Sequence, residues 1–158
     1  MICEATEAVP LEKMGRAVGG HALPTILLAD DHEEMRRTVA SVLQDEFQIV
    51  AMAENGAQAI EMALSGHPDV IVLDIFMPVV NGIETAIRVK AVGCPSKVLF
   101  LTVDEDPDLA RAAMSSGALG YVLKGCLATD LIPAIRNAIE GRVYISRSMQ
   151  SSMQSDSI

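Results

Sequence analysis

Five residues of this chain have side chains suited to phosphoryl transfer: Asp30, Asp31, Asp74, Thr102 and Lys124. Each stands at the C-terminal end of an apolar run. The runs are Thr25–Ala29, Val70–Leu73, Lys97–Leu101 and Gly120–Leu123. Short aliphatic runs bounded by turn residues read as buried parallel strands. In an open α/β sheet, ligands bind in the crevice outside the carboxyl ends of the strands. Residues far apart in sequence therefore converge at one edge. Three carboxylates, a hydroxyl and an ammonium at such a crevice describe a divalent-metal site facing a phosphorylatable aspartate.

The chemistry sets what each residue must do. Mg²⁺ favours octahedral oxygen coordination, retains several waters and is held by one or two carboxylates plus phosphate, a set that Asp30, Asp31 and Asp74 supply. Asp30-Asp31 also suits the cap of a following helix, and one acid can cap while the other binds metal. As a nucleophile, Asp74 would form an acyl phosphate, and a cation is needed because two anionic groups must approach each other. The alternative for Asp74 is a polar strand end bonded to loop amides. Lys124 offers a point charge for phosphoryl oxygens and Asp74, or it snorkels to solvent. Thr102 offers a hydroxyl donor, or it is an ordinary strand threonine.

The elements that position these residues alternate along the chain. After the first strand, Met35, Val39, Val42 and Leu43 define one face of a helix within 31–46. A second strand spans 47–53. A helix over 56–65 follows, with Ile60 and Leu64 directed inward. A third helix covers about 83–91, and a weaker one runs over 107–116 with Pro107 in its first turn. The last spans about 130–140, with Thr129 as N-cap and Pro133 near the first turn. This order, (βα) five times, predicts a doubly wound five-stranded parallel sheet with helices on both faces. Residues 1–23 read as a flexible extension, 24–146 as the domain, and the Ser/Gln-rich 147–158 as a disordered tail.

Composition narrows the function classes. Half of the 158 residues are hydrophobic, enough for one core, and 21 acids against 12 bases give a net charge of −9. That charge argues against direct nucleic-acid binding and against an anionic membrane surface. Cys3, Cys94 and Cys126 lack metal-ligand spacing. No signal-peptide pattern or membrane-length apolar run is present, so a cytoplasmic protein is expected.

The strings Ile26-Leu-Leu-Ala-Asp-Asp-His32, Pro68-Asp-Val-Ile-Val-Leu-Asp-Ile-Phe-Met-Pro78, Asn81-Gly82, Val98-Leu-Phe-Leu-Thr102 and Gly117-Ala-Leu-Gly-Tyr-Val-Leu-Lys-Gly125 carry a resemblance. From about Pro24 to Ser146, the chain resembles the CheY-like receiver domain of bacterial two-component response regulators. It is most similar to the NarL/LuxR-type subfamily, which usually carries a helix-turn-helix. The resemblance implies a flavodoxin-like (βα)5 fold. It makes Asp74 the phospho-acceptor, and Asp30, Asp31, Asp74 and the backbone carbonyl of Phe76 the Mg²⁺ ligands, with Asp31 favoured over Asp30 as direct ligand. Thr102 and Lys124 would contact the phosphoryl group, and Tyr121 would be the switch aromatic moving with Thr102.

The implied phosphodonor is a sensor histidine kinase or a histidine phosphotransfer protein. The implied output is a downstream protein, or a homodimer, meeting the face of the fourth helix, fifth strand and fifth helix. Such a protein is not an enzyme beyond its own aspartyl phosphorylation and dephosphorylation. Only 17 residues follow Gly141, so the expectation is a stand-alone receiver; the alternatives are a phosphorelay intermediate and a fragment of a DNA-binding regulator. Gly125 follows Lys124 where many receivers have proline, and Val103 follows Thr102 where a smaller residue is common. A phosphatase of the haloacid-dehalogenase type would need Asp-x-Asp-x-Thr, but Ile75-Phe-Met-Pro78 follows Asp74. A flavin or nucleotide site would need a glycine- or hydroxyl-rich loop where Asp30-Asp31 stands.

Overall fold

Parallel pairing explains the strand composition: every strand with neighbours on both sides is covered on both faces and needs apolar side chains throughout. In the computed structural model, which describes residues 22–155, the strands are β1 (Thr25–Ala29), β2 (Gln48–Ala53), β3 (Val70–Leu73), β4 (Lys97–Thr102), β5 (Gly120–Leu123) and β6 (Tyr144–Ile145). The helices are α1 (Glu33–Leu43), α2 (Gly56–Gly66), α3 (Gly82–Ala91), α4 (Pro107–Ser115), α5 (Leu127–Ile139) and α6 (Arg147–Ser155). The sheet order is β2-β1-β3-β4-β5-β6 and all pairs are parallel. The direction of winding reverses between β1 and β3, so the switch-point crevice opens between Asp30 and Asp74.

Two cores lie on the two faces of the sheet. On one, Leu27, Ala29, Leu73, Phe100 and Tyr121 pack against Ala59 and Ala63 of α2, Ala86 and Val89 of α3, and Ala110 and Ala113 of α4. On the other, Ile26, Leu28, Val72, Leu101 and Val122 meet Val39 and Leu43 of α1 and Leu131 and Ile135 of α5. The doubly wound α/β fold is as the sequence predicts. Within α2, Ile60 packs against the core as predicted, but Leu64 is exposed. Ala59 and Ala63 carry the buried face of α2 instead.

Three other features depart from the sequence reading. A sixth strand, Tyr144–Ile145, adds to the β5 edge, with Tyr144 opposite Gly120 and Ile145 opposite Tyr121. Residues 147–155, expected to be disordered, form α6. Met149 and Met153 lie one turn apart and join the core beneath α4, with Met149 fully buried. Arg111 of α4 donates to the Met153 carbonyl at 3.3 Å. Finally, α5 begins at Leu127 directly after a 3₁₀ turn over Lys124–Cys126, not at 130. Thr129 therefore lies inside the helix, and Pro133 falls past the first turn. Residues 1–21 of the expected extension and 156–158 lie outside the described residues.

The loop after Asp74 is held by two close backbone approaches. A Cβ on Gly82 would stand 2.1 Å from the Asp74 carbonyl oxygen, and one on Gly56 would stand 2.0 Å from that of Val80. Between them, Val80 N–H donates to the Pro78 carbonyl at 2.8 Å, and Val79 takes a φ of 71°. A β-branched residue at positive φ is strained, and such strain persists only where surrounding contacts over-determine it.

Candidate phosphoryl-transfer site

Asp30 and Asp74 follow paired strands, so their carboxylates emerge side by side. Backbone bonds continue the ladder past the strand ends: Asp74 N–H donates to the Ala29 carbonyl at 2.9 Å, and Asp30 N–H to the Ala53 carbonyl at 3.1 Å. Lys124, two strands further along the sheet, reaches both acids. Its Nζ donates to Asp30 Oδ2 at 2.7 Å and to Asp74 Oδ2 at 3.2 Å. All three side chains are at least nine-tenths buried. Asp31, about one-third exposed, forms the outer wall.

Burial at this depth shifts ionisation. Desolvation raises the Asp74 carboxyl above its ordinary range and the Asp30 charge adds to this, outweighing the opposing pull of Lys124. Burial alone would lower the Lys124 ammonium, but its hydrogen bonds and charge pairing with Asp30 and Asp74 raise it. Because the Asp74 pKa is raised on folding, its stabilising contribution is complete below the unfolded carboxyl value and is lost as pH rises through the folded one. At neutral pH the ionised side chain therefore costs stability. Asp74→Asn is expected to raise the melting temperature by ~3 °C, equivalent to about 1 kcal/mol at this chain length, with the gain disappearing at acid pH. Thermal melts of both proteins between pH 4 and 8 test this.

Thr102 ends β4 and is fully buried. Its Oγ1 accepts a long 3.5 Å bond from Asp104 N–H, while the Tyr121 hydroxyl donates to the Asp104 carbonyl at 2.8 Å. One residue thus links the threonine to the tyrosine. Tyr121 is fully buried, and desolvation, aided by the Asp104 and Asp106 charges, pushes its phenol far above its ordinary range. The Phe76 side chain and Val103 are largely exposed. Phe76 lines a cleft of about 230 Å³ with Ile75, Ile83 and Leu109. No peptide bond among the described residues is cis, Lys124–Gly125 included.

Sequence reasoning gave no role to three neighbours. Oxygens or nitrogens of Asp30, Asp31, His32 and Asp74 all lie within 4.8 Å of one another. His32 Nδ1 stands 3.2 Å from Asp30 Oδ1 and 3.1 Å from Asp31 Oδ1. Arg36 Nη1 donates to the Asp30 carbonyl at 2.6 Å. Ser146, fully buried, accepts from Leu123 N–H at 3.1 Å and donates to Asp130 Oδ2 at 2.8 Å, fixing the strand end from which Lys124 departs. His32 directly follows Asp31, and Arg36 stands six residues after Asp30. Ser146 has no local signal, because its partners lie 16 and 23 residues away. The acid-rich crevice, with its oxygen donors and the Lys124 ammonium, fits a hard divalent ion.

Comparison with known proteins agrees with this fold. The model of the response regulator receiver domain matches residues 26–136, and the chain belongs to that family. A nitrate/nitrite response regulator protein homolog of Haemophilus influenzae is 34% identical over 128 residues, covering 80% of this chain and 62% of the relative. The transcriptional regulatory protein DegU of Brevibacillus brevis is 37% identical over 122 residues, covering 76% of this chain and 52% of the relative. This chain thus spans between about half and two-thirds of the length of these curated relatives. A crystal structure of a LuxR-family two-component response regulator from Aurantimonas superposes with a TM-score of 0.81 at 25% identity, covering 85% of this chain and 97% of that one. Among the described residues no helix is long and apolar enough to cross a membrane.

Proposed function

We propose that this chain is a cytoplasmic, phosphorylation-controlled receiver module in which Asp74 accepts a phosphoryl group from a phosphohistidine. The observation that carries this reading is the buried bridge from Lys124 to Asp30 and Asp74 beside Asp31 at the switch point. A carboxylate oxygen of Asp74 attacks phosphorus, the phosphorus–nitrogen bond of the donor breaks, and the imidazole leaves with the electron pair. Lys124 then offers its ammonium to the phosphoryl oxygens, and the Thr102 hydroxyl offers a hydrogen bond. Asp30, Asp31, Asp74 and the Phe76 carbonyl would hold Mg²⁺, which would offset the repulsion between the two anions. The module turns over no separate substrate. Its donor is a sensor histidine kinase or a phosphotransfer protein.

Movement of Thr102 toward the phosphoryl group disturbs Asp104, and through it Tyr121 and α4. Phosphorylation then shifts an existing two-state equilibrium. The readout face is α4, β5 and α5, where a downstream protein or a second copy of the chain would dock. In this chain β6 lies along β5 and α6 lies against α4, so a partner of that face meets them too. A phosphorelay role uses the same acyl phosphate. A second reading has a specific basis. The similar proteins include one named as a transcriptional regulatory protein and are longer than this chain, which favours the receiver portion of a DNA-binding regulator. With a net charge of −9, the receiver itself is not the nucleic-acid reader.

Beryllofluoride, a non-covalent phosphoryl mimic, tests the site directly. Bound fluorine resonances are expected only with wild-type protein and Mg²⁺, and not with EDTA or in Asp74→Asn. Equal binding in Asp74→Asn would contradict the reading.

A further inference from the structure

Lys124 uses Oδ2 of both Asp30 and Asp74. A divalent ion is therefore left with the opposite side of the pocket, where Asp30 Oδ1 and Asp31 Oδ1 lie. That side is where His32 places its ring. Its Nδ1 is 3.2 Å from Asp30 Oδ1 and 3.1 Å from Asp31 Oδ1. In a six-coordinate shell with bonds of ~2.1 Å, adjacent donor atoms stand about 3.0 Å apart and opposite ones about 4.2 Å apart. The two nitrogen–oxygen separations match adjacent vertices. The 4.8 Å spread of the whole set over Asp30, Asp31, His32 and Asp74 fits one shell after a small contraction. The His32 N–H, donating to Asp30 Oδ1 at 2.8 Å, folds the backbone so that the ring lies over the acids.

We propose that His32 is a ligand of this metal site and biases it toward imidazole-preferring divalent ions such as Ni²⁺ and Zn²⁺ relative to Mg²⁺. This rests on the metal-site reading above and goes beyond it, because an all-oxygen set would show a weaker bias than one that includes an imidazole. Carboxylate and carbonyl oxygens suit Mg²⁺, whereas neutral imidazole raises affinity for the later first-row ions. The plainer role for His32 is hydrogen bonding to the two carboxylates. Asn at this position keeps an N–H donor at a similar reach but supplies no imidazole, so it separates the two roles. The His32 side chain is 70% exposed, so replacing it leaves the core intact.

The experiment is calorimetric titration of wild type, His32→Asn and Asp31→Asn with MgCl₂ and, separately, NiCl₂. The His32 ring-proton resonances are followed in wild type as Ni²⁺ is added. Loss of a supporting partner alone typically costs about 10–100-fold in metal affinity. The expected result for His32→Asn is therefore at least a ~10-fold loss of Ni²⁺ affinity with Mg²⁺ affinity changed by less than ~2-fold. The wild-type ring protons should show large paramagnetic shifts. Asp31→Asn should weaken both metals, marking the site. Equal Ni²⁺ affinity in wild type and His32→Asn, with unshifted ring protons, overturns the proposal while leaving the Mg²⁺ site standing. Absence of Mg²⁺ binding in wild type overturns both.

Discussion

Lys124→Ala should destabilise the protein by ~3–5 kcal/mol at neutral pH, the cost of removing one partner from a buried ion pair. Asp30 and Asp74 are both nine-tenths or more buried, and the lysine is the cation that donates to each of them. Without it, two like charges face each other in a poorly solvated crevice. The pH dependence follows from the shifts. Lys124 is raised above its ordinary value, so its own titration removes the contribution only as pH rises through that raised value. On the acid side, the difference between wild type and Lys124→Ala should narrow as pH falls through the raised Asp74 value, where protonation of Asp74 removes the repulsion. Adding Asp74→Asn should recover part of the loss, because the two changes share one network and are not additive. Denaturant titrations of the four proteins at pH 5 and 7 measure this. Equal loss at both pH values would show that the lysine acts through packing of its stem and not through its charge.

Gly82→Ala should be the other severe substitution. The added Cβ would lie 2.1 Å from the Asp74 carbonyl oxygen and 2.9 Å from the Ile75 Cα, both backbone atoms with no rotamer to yield. The Gly82 N–H is already bonded to the Ile75 carbonyl at 2.7 Å. Relief must come from displacing the Asp74–Ile75 peptide, and with it the nucleophile. The expected cost is about 2–3 kcal/mol of stability, in the range for forced overpacking. Mg²⁺ affinity should fall with it, because the carboxylate moves away from Asp30 and Asp31. Gly66→Ala is the control, since no atom lies within 4 Å of its Cβ. It should be neutral or slightly stabilising, as expected for relieving a helical glycine. Unchanged Mg²⁺ binding in Gly82→Ala would mean that the loop can shift without carrying Asp74.

The parts of this protein that were legible in sequence are those where one strong physical signal acts alone. β1, β3, β4 and β5 are built on predominantly apolar runs, and burial on both faces of a parallel sheet leaves few other readings. Asp30, Asp74 and Lys124 were legible because each is a charged residue abutting such a run. The parts that were missed depend on weaker or remote signals. α6 rests on Met149 and Met153 set among serines and glutamines, an apolar stripe too thin to outweigh a polar composition. β6 is two residues long and exists because Tyr144 N–H and Ser146 N–H find the Leu119 and Tyr121 carbonyls at 2.9 Å. The start of α5 was placed late because Thr129 reads as an N-cap, yet the helix begins at Leu127 directly after a 3₁₀ turn. Alanines 59 and 63 took the place expected for Leu64 because close packing between helix and sheet favours small side chains. A histidine beside two acids gives no periodic signal, so His32 emerged only from its distances.

The central claim is that Asp74 accepts a phosphoryl group in a reaction that needs a divalent cation. Intact-protein mass spectrometry after incubation with acetyl phosphate and Mg²⁺ tests it most directly, with borohydride trapping of the acyl phosphate to locate the site. The account predicts a gain of one phosphoryl group, trapped at Asp74, absent with EDTA and absent in Asp74→Asn. A phosphoryl group on another residue, or an equal gain in Asp74→Asn, would contradict it.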